Sequence, residues 1–230
     1  MDTEYSAALK VNTQTGRMAR YALVLLVLPV LALAGNTRPI DVIRGASEEV
    51  LQQLNAESGI RSDPVKLNRL IQAHIAPHVD FTALSRLTLG KQWRRTTPEQ
   101  RSLFVREFAE LLIRIYATAL ATYSNHEIAY LSSTVAGNGR RATVRTRIVE
   151  AGRAPLAVDY SLRRIKESWK IFDVKIEGVS LVISYRSSFA QEIRERGLDG
   201  LIEGLAARNA AGAAGKVAAA KTTSASYDAR

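Results

Sequence analysis

Histidines and one strand-borne carboxylate are the residues of this chain whose types and spacing could do chemistry. His74 and His78 stand at i,i+4, the spacing at which a helix aims two imidazoles at one ion, but Pro77 falls between them and ends that helix. No glutamate sits at zinc-protease spacing, and neither a phosphate-cradling glycine loop nor a nucleophile elbow occurs. No metal site or cofactor is expected; His74 and His78 read as solvated or capping residues at a helix end. The third histidine, His126, joins no motif. The absence of cysteine excludes disulfides, thiolate metal sites and cysteine nucleophiles. Asp173 lies among Phe172, Val174 and Ile176, where burial could raise its pKa. With Tyr160 nearby it could abstract a proton, as in ketosteroid isomerases. The alternative, that Asp173 bonds backbone or pairs with an arginine of the adjoining helix, is preferred, and no catalytic residue is assigned.

The segment carrying Asp173 is the one around which the chain is organised. Trp169 to Ile176 is aromatic and β-branched, a strand pattern, and Glu177-Gly178 breaks it. From Ser180, a candidate N-cap, Leu181, Val182, Tyr185, Phe189 and Ile193 recur at helical spacing. Upstream, Pro39 opens a first helix closed by Glu57-Ser-Gly59, Asp63-Pro64 a second ended by Pro77, and Asp80 a short third stopped by Gly90. Thr97-Pro98-Glu99-Gln100 is a capping box. The helix it opens, over residues 98–123, has an apolar face of Phe104, Phe108, Leu111, Leu112, Ile115, Tyr116, Ala119 and Leu120, and is expected to lie across a sheet.

Three strands precede the one bearing Asp173. Residues 127–134 alternate weakly, Asn138-Gly139 signals a hairpin, and 141–150 alternate with Val144, Thr146 and Ile148 on one face. Leu156, Val158, Tyr160 and Leu162 share a face of the next. Trp169 and Ile171 differ in parity from Phe172, or from Val174 and Ile176, so either both faces are covered or a bulge shifts the register. The pattern predicts an α+β fold: helices packed on a curved four-stranded antiparallel sheet, one face covered and one wet.

The 230-residue chain carries a formal charge of +10. Arg17 and Arg20 precede an apolar run, Tyr21 to Leu33, that ends in small residues, the pattern of a cleavable signal peptide over residues 1–34. The run is too short to span a bilayer, which takes about 20 apolar residues. Its removal takes away Lys10, Arg17 and Arg20 with Asp2 and Glu4, leaving +9. Residues 35–208 then form the domain, and 209–230, rich in alanine and glycine, are expected to be a disordered tail. The basic balance suits an anionic partner, but export and strand faces without interleaved aromatics argue against nucleic acid.

Five segments carry a resemblance: Pro77-His-Val-Asp-Phe81, Leu89-Gly-Lys-Gln-Trp-Arg94, Thr97-Pro-Glu-Gln-Arg101, Phe104 through Tyr116, and Gly178-Val-Ser-Leu-Val-Ile-Ser-Tyr-Arg186. Together, over residues 39–205, the chain resembles the MlaC family, periplasmic phospholipid-binding components of the Mla lipid-transport system, also called toluene-tolerance auxiliary proteins. It departs at Ser184, where the family commonly has asparagine. The resemblance implies a cone like that of nuclear transport factors, enclosing an apolar cavity. It also implies a monomeric periplasmic carrier that exchanges phospholipid between an outer-membrane lipoprotein–porin complex and an inner-membrane ABC transporter, maintaining outer-membrane lipid asymmetry. The candidate lining is Val144, Thr146, Ile148, Val158, Tyr160 and Leu162 from the strands, Phe108, Leu112 and Tyr116 from the long helix, and Val182 and Tyr185 from the last. Ordinary core explains each equally well. Arg186 is the headgroup-side candidate.

Overall fold

The computed structural model describes residues 37–57, 59–122 and 127–227; the expected signal peptide and His126 lie outside them. All elements below belong to the unit Gly35–Arg230. Among the described residues no helix is long and apolar enough to cross a membrane.

Local chemistry sets the helix starts. Helix α1 (Pro39–Ala56) has proline in its first turn, and α2 (Pro64–His74) is capped by Asp63, whose carboxylate accepts from the N–H groups of Val65 and Lys66. Pro77 lies in a 3-10 turn (Ala76–His78) rather than in α2. Asp80 caps α3 (Phe81–Leu89), accepting from Ala83 N–H at 2.9 Å, and Gly90 ends it at a φ of 55°. A 3-10 segment (Gly90–Arg95) leads to α4 (Pro98–Thr122). There the capping box is reciprocal: Gln100 N–H donates to the Thr97 hydroxyl and Thr97 N–H to the Gln100 side chain.

The sheet is an antiparallel meander in the order β1-β2-β3-β4-β5, with β1 at Glu127–Ala136, β2 at Arg141–Val149, β3 at Leu156–Ile165, β4 at Ser168–Ile176 and β5 at Val179–Ser180. It therefore has five strands, not four. Glu177 and Gly178 both take positive φ, 49° and 78°, so the chain folds back at once and Val179 pairs with Ile176 before the helix starts. The mixed parity of β4 resolves into a bulge. Ser161 pairs with Asp173 and Leu162 with Ile171, so Phe172 is skipped, and Trp169 and Ile171 join Val174 and Ile176 on one face.

Packing differs from expectation at α4. Phe104, Phe108, Leu111 and Leu112 are buried with α3 and α5 (Leu181–Tyr227), while Ile113 and Ala117 are buried with α1 and α2. The long helix thus packs between helices, and Ile115, assigned to its apolar face, is exposed. The helix lying on the sheet is α1: Ile43 joins Ala142, Val144, Leu162, Trp169 and Ile171 in a third cluster, flanked by Ile40 and Val42. Val79 packs against both this cluster and the α3–α4–α5 cluster. Helix α5 is broken at Gly197 (φ 74°, ψ 176°), where the periodicity weakens, and continues past residue 208. Asn209, placed in the tail by its sequence, is buried and donates to the Glu107 backbone carbonyl at 2.9 Å and carboxylate at 3.0 Å.

Candidate functional site

The face of the sheet under α1 is mostly apolar and is buried over only part of its length. Side chains directly opposite across antiparallel strands share a face. The row Ala142–Leu162–Ile171 lies within the cluster closed by α1, and so does Val144, beside Tyr160 and Val174. Arg44 sits 4.1 Å over the Tyr130 ring, holding α1 against β1. The next row, Thr146–Val158–Ile176–Val179, begins buried and ends open: Val179 is 61% exposed. In the last row Ile128, Ile148 and Leu156 face one another and are only half-buried. Ile183, on the first turn of α5, is 63% exposed. An apolar strip therefore emerges from beneath α1 at the end of the sheet where Ile148, Leu156, Ile176 and Val179 sit. Periodicity shows that Ile148 and Leu156 face inward, but not that α1 stops short of them. Ile176 was obscured by the bulge, and nothing in the sequence marked Val179 or Ile183.

The candidate lining divides into two groups. Val144, Leu162 and Tyr160 pack in the sheet cluster, near Thr146, whose hydroxyl donates to the Val158 carbonyl at 2.9 Å. Burial pushes the Tyr160 phenol up to about 12, with Tyr130 adding to the rise and a hydrogen bond with Thr146 opposing it. Phe108, Leu112, Tyr116, Val182 and Tyr185 belong instead to the α3–α4–α5 cluster. There the Phe108 and Tyr185 rings meet edge-on at 5.0 Å, with Phe189 5.1 Å from Phe108. Burial likewise pushes Tyr116 up to about 12, helped by its hydrogen-bonded neighbour Tyr185. Val79 packs against both groups and forms a parallel bridge with Ile171. Two open hollows, of about 500 Å³ beside Glu192 and Arg208 and about 410 Å³ beside Trp93 and Arg101, contain none of the candidates.

The polar candidates have structural tasks. The Asp173 carboxylate accepts from the Ser180 hydroxyl at 2.7 Å and from Val182 N–H at 3.2 Å, and Ser180 in turn accepts from Ile183 N–H. Asp173 thus caps α5 from the neighbouring strand. It pairs with Ser161 and Tyr160 with Val174, which puts Asp173 and Tyr160 on opposite faces of the sheet, where they cannot act on one substrate atom. Ser184 donates to the Ser180 carbonyl at 3.0 Å, within the first turn of α5. The Arg186 guanidinium donates twice to the Leu87 carbonyl in the last turn of α3. His74 lies 2.8 Å from a Glu49 carboxylate oxygen, and burial with Lys170 nearby lowers the pKa of His78. Among the described residues no group of three or more histidine, aspartate or glutamate side chains could hold a metal ion.

Comparison with known proteins decides the family. The MlaC protein family profile matches residues 44–207. The chain belongs to the MlaC family. It is 29% identical over 171 residues to the intermembrane phospholipid transport system binding protein MlaC of Haemophilus influenzae, covering 73% of this chain and 80% of that one. It is 31% identical over 194 residues to the toluene tolerance protein ttg2D of Pseudomonas putida, covering 82% and 89%. Among solved structures, a phospholipid-binding protein from Ralstonia solanacearum in complex with a phospholipid matches with a TM-score of 0.71 and 31% identity. That match covers 77% of this chain and 99% of the other. The MlaC profile spans both groups of candidate residues, with Gly178 to Arg186 inside it.

Proposed function

We propose that this MlaC-family chain is a periplasmic phospholipid carrier. The observation that carries the reading is the apolar strip running out from under α1 through Ile148, Leu156, Ile176 and Val179, in a fold whose solved relative holds a phospholipid. Acyl chains enter at that open end and lie along the inner face of the sheet. The headgroup stays at the mouth, where the exposed ends of β4 and β5 meet water. Two chains of roughly fifteen methylenes, at about 0.8 kcal/mol per buried CH₂, gain on the order of 20 kcal/mol relative to water. Ordering and dehydration costs reduce that sum, yet it keeps free lipid from escaping into an aqueous compartment. Release therefore needs a docked partner that offers an equally apolar path. One relative's name, an intermembrane phospholipid transport system binding protein, supports transport between two membranes. The two ends of the route in this reading are an outer-membrane lipoprotein–porin complex and an inner-membrane ABC transporter, with maintenance of outer-membrane lipid asymmetry as the outcome. Export by cleavage after residue 34 supplies the compartment.

Native mass spectrometry of protein purified without added lipid tests this directly. Co-purified phospholipid is the expected result. An empty protein that also takes no lipid from vesicles overturns the carrier reading.

A further inference from the structure

The sheet face turned away from α1 is the one opposite the apolar strip, and the strand register orders its residues into rows. At one end Arg141 lies opposite Arg163, and Arg163 opposite Lys170, three cations abreast. The next row is Thr143, Ser161 and Asp173, with the buried Asp173 carboxylate taken up by the Ser180 hydroxyl and Val182 N–H, and beyond it come Arg145, Asp159 and Lys175. Arg147 follows, opposite Ala157, and β1 contributes only small uncharged partners to these rows. Like charges placed directly opposite destabilise a sheet, so the first row is kept against a cost. Part of that cost is offset where Arg163 pairs with Asp80 and Lys170 donates to the Pro77 carbonyl at 2.6 Å. Arg145 lies 3.7 Å from Asp159. Arg141, Arg147 and Lys175 are exposed and have no carboxylate partner among the described residues.

We propose that this face docks on a bilayer surface bearing anionic phospholipid headgroups. Its features select that partner over other anions. None of the paired residues on the face is aromatic, whereas single-stranded nucleic acid is held by bases stacked on aromatic rings. A protein partner would be anchored on a charge-depleted apolar centre, and here the centre is Arg145, Asp159 and Lys175. A layer of phosphates asks only for cations and hydroxyl donors spread over a broad surface, and the rows provide both. The cargo strip lies on the opposite face, so bound lipid and docked membrane do not compete for the same residues.

Residues 35–230 carry all three buried clusters, and the family match begins at residue 44, so this segment serves for the test. It is floated with vesicles of phosphatidylcholine alone and of equal parts phosphatidylcholine and phosphatidylglycerol. Binding is expected only to the second, weakening as sodium chloride rises. Each cation near an anionic surface strengthens binding about fivefold, so Arg141→Gln/Arg147→Gln/Lys175→Gln loses roughly 100-fold and the triple Glu variant more. A control of equal charge change, Arg69→Gln/Lys91→Gln/Arg194→Gln, alters exposed cations elsewhere and retains most of the binding. Circular dichroism checks the fold, and the Gln triple keeps the test open where the Glu triple does not fold. Three results overturn the proposal: no binding to the anionic vesicles, equal binding to both kinds, or the same loss in the control triple.

Discussion

Asp173 shows how one residue type admits two meanings until its neighbours are known. A carboxylate inside an apolar strand suggests a raised pKa and acid–base work, yet its oxygens are occupied by the Ser180 hydroxyl and the Val182 N–H. Replacing Asp173 by alanine leaves the first turn of α5 without its cross-strand cap. The expected loss is about 1–3 kcal/mol, read from the urea midpoint at unchanged m value. Lipid copurification is expected to persist in the folded fraction, since Asp173 is on the face away from Tyr160 and the cargo strip. A midpoint within error of the parent protein would remove Asp173 from the structural account.

The last helix is the element whose extent composition misjudges. Alanine-rich sequence after Asn209 lacks a wide apolar stripe, but Asn209 holds its helix to α4 through the Glu107 backbone and side chain. That hydrogen bond is the largest cause of the lowered Glu107 pKa; burial opposes it and Arg106 assists. Because the folded value is depressed, this stabilisation is present above the ordinary glutamate value of 4.5 and is lost as pH falls through the folded value. Asn209→Ala is expected to cost about 1–3 kcal/mol at neutral pH and to flatten the dependence of stability on pH in the acid range. Denaturation series at neutral and acid pH check both halves. An equal cost at all pH values would mean that Glu107 is not the partner that matters.

At the scale of the molecule, α1 divides the inner face of the sheet into a sealed end and an open one, and the two ends should answer differently to the same substitution. Val144 is fully buried in the cluster with Ile43, so Val144→Trp overpacks it and costs about 3 kcal/mol. Ile148 lies at the open end and is half-buried, so Ile148→Trp changes stability by less than about 1 kcal/mol while occupying space that a chain would use. Under the carrier reading, Ile148→Trp lowers lipid occupancy by native mass spectrometry and Val144→Trp mainly lowers the denaturation midpoint. Full occupancy in folded Ile148→Trp would locate the cargo elsewhere, with the α3–α4–α5 cluster around Phe108 and Tyr185 as the next place to probe.

Caps and turns are local chemistry and can be read from residue order. Asp63, Asp80, the Thr97–Gln100 box, Asn138-Gly139 and the break at Gly178 all act within a few residues of their own positions. The α+β class and the inward alternation of β2 and β3 follow from the same short-range periodicity. Which helix covers the sheet does not, because the apolar face of α4 fits a neighbouring helix as well as a sheet, and only the assembled chain has α1 in that place. The bulge at Phe172 is one of two open readings until pairing with β3 sets the register. Exposure at Val179 and Ile183 belongs to tertiary structure for the same reason: a valine in a strand and an isoleucine on a helix are written alike whether another element covers them or water does. Residue order alone thus specifies most of the elements and the family. Which apolar faces are spent on each other, and which one remains open, depends on contacts between residues far apart in the chain, and only the folded molecule has those.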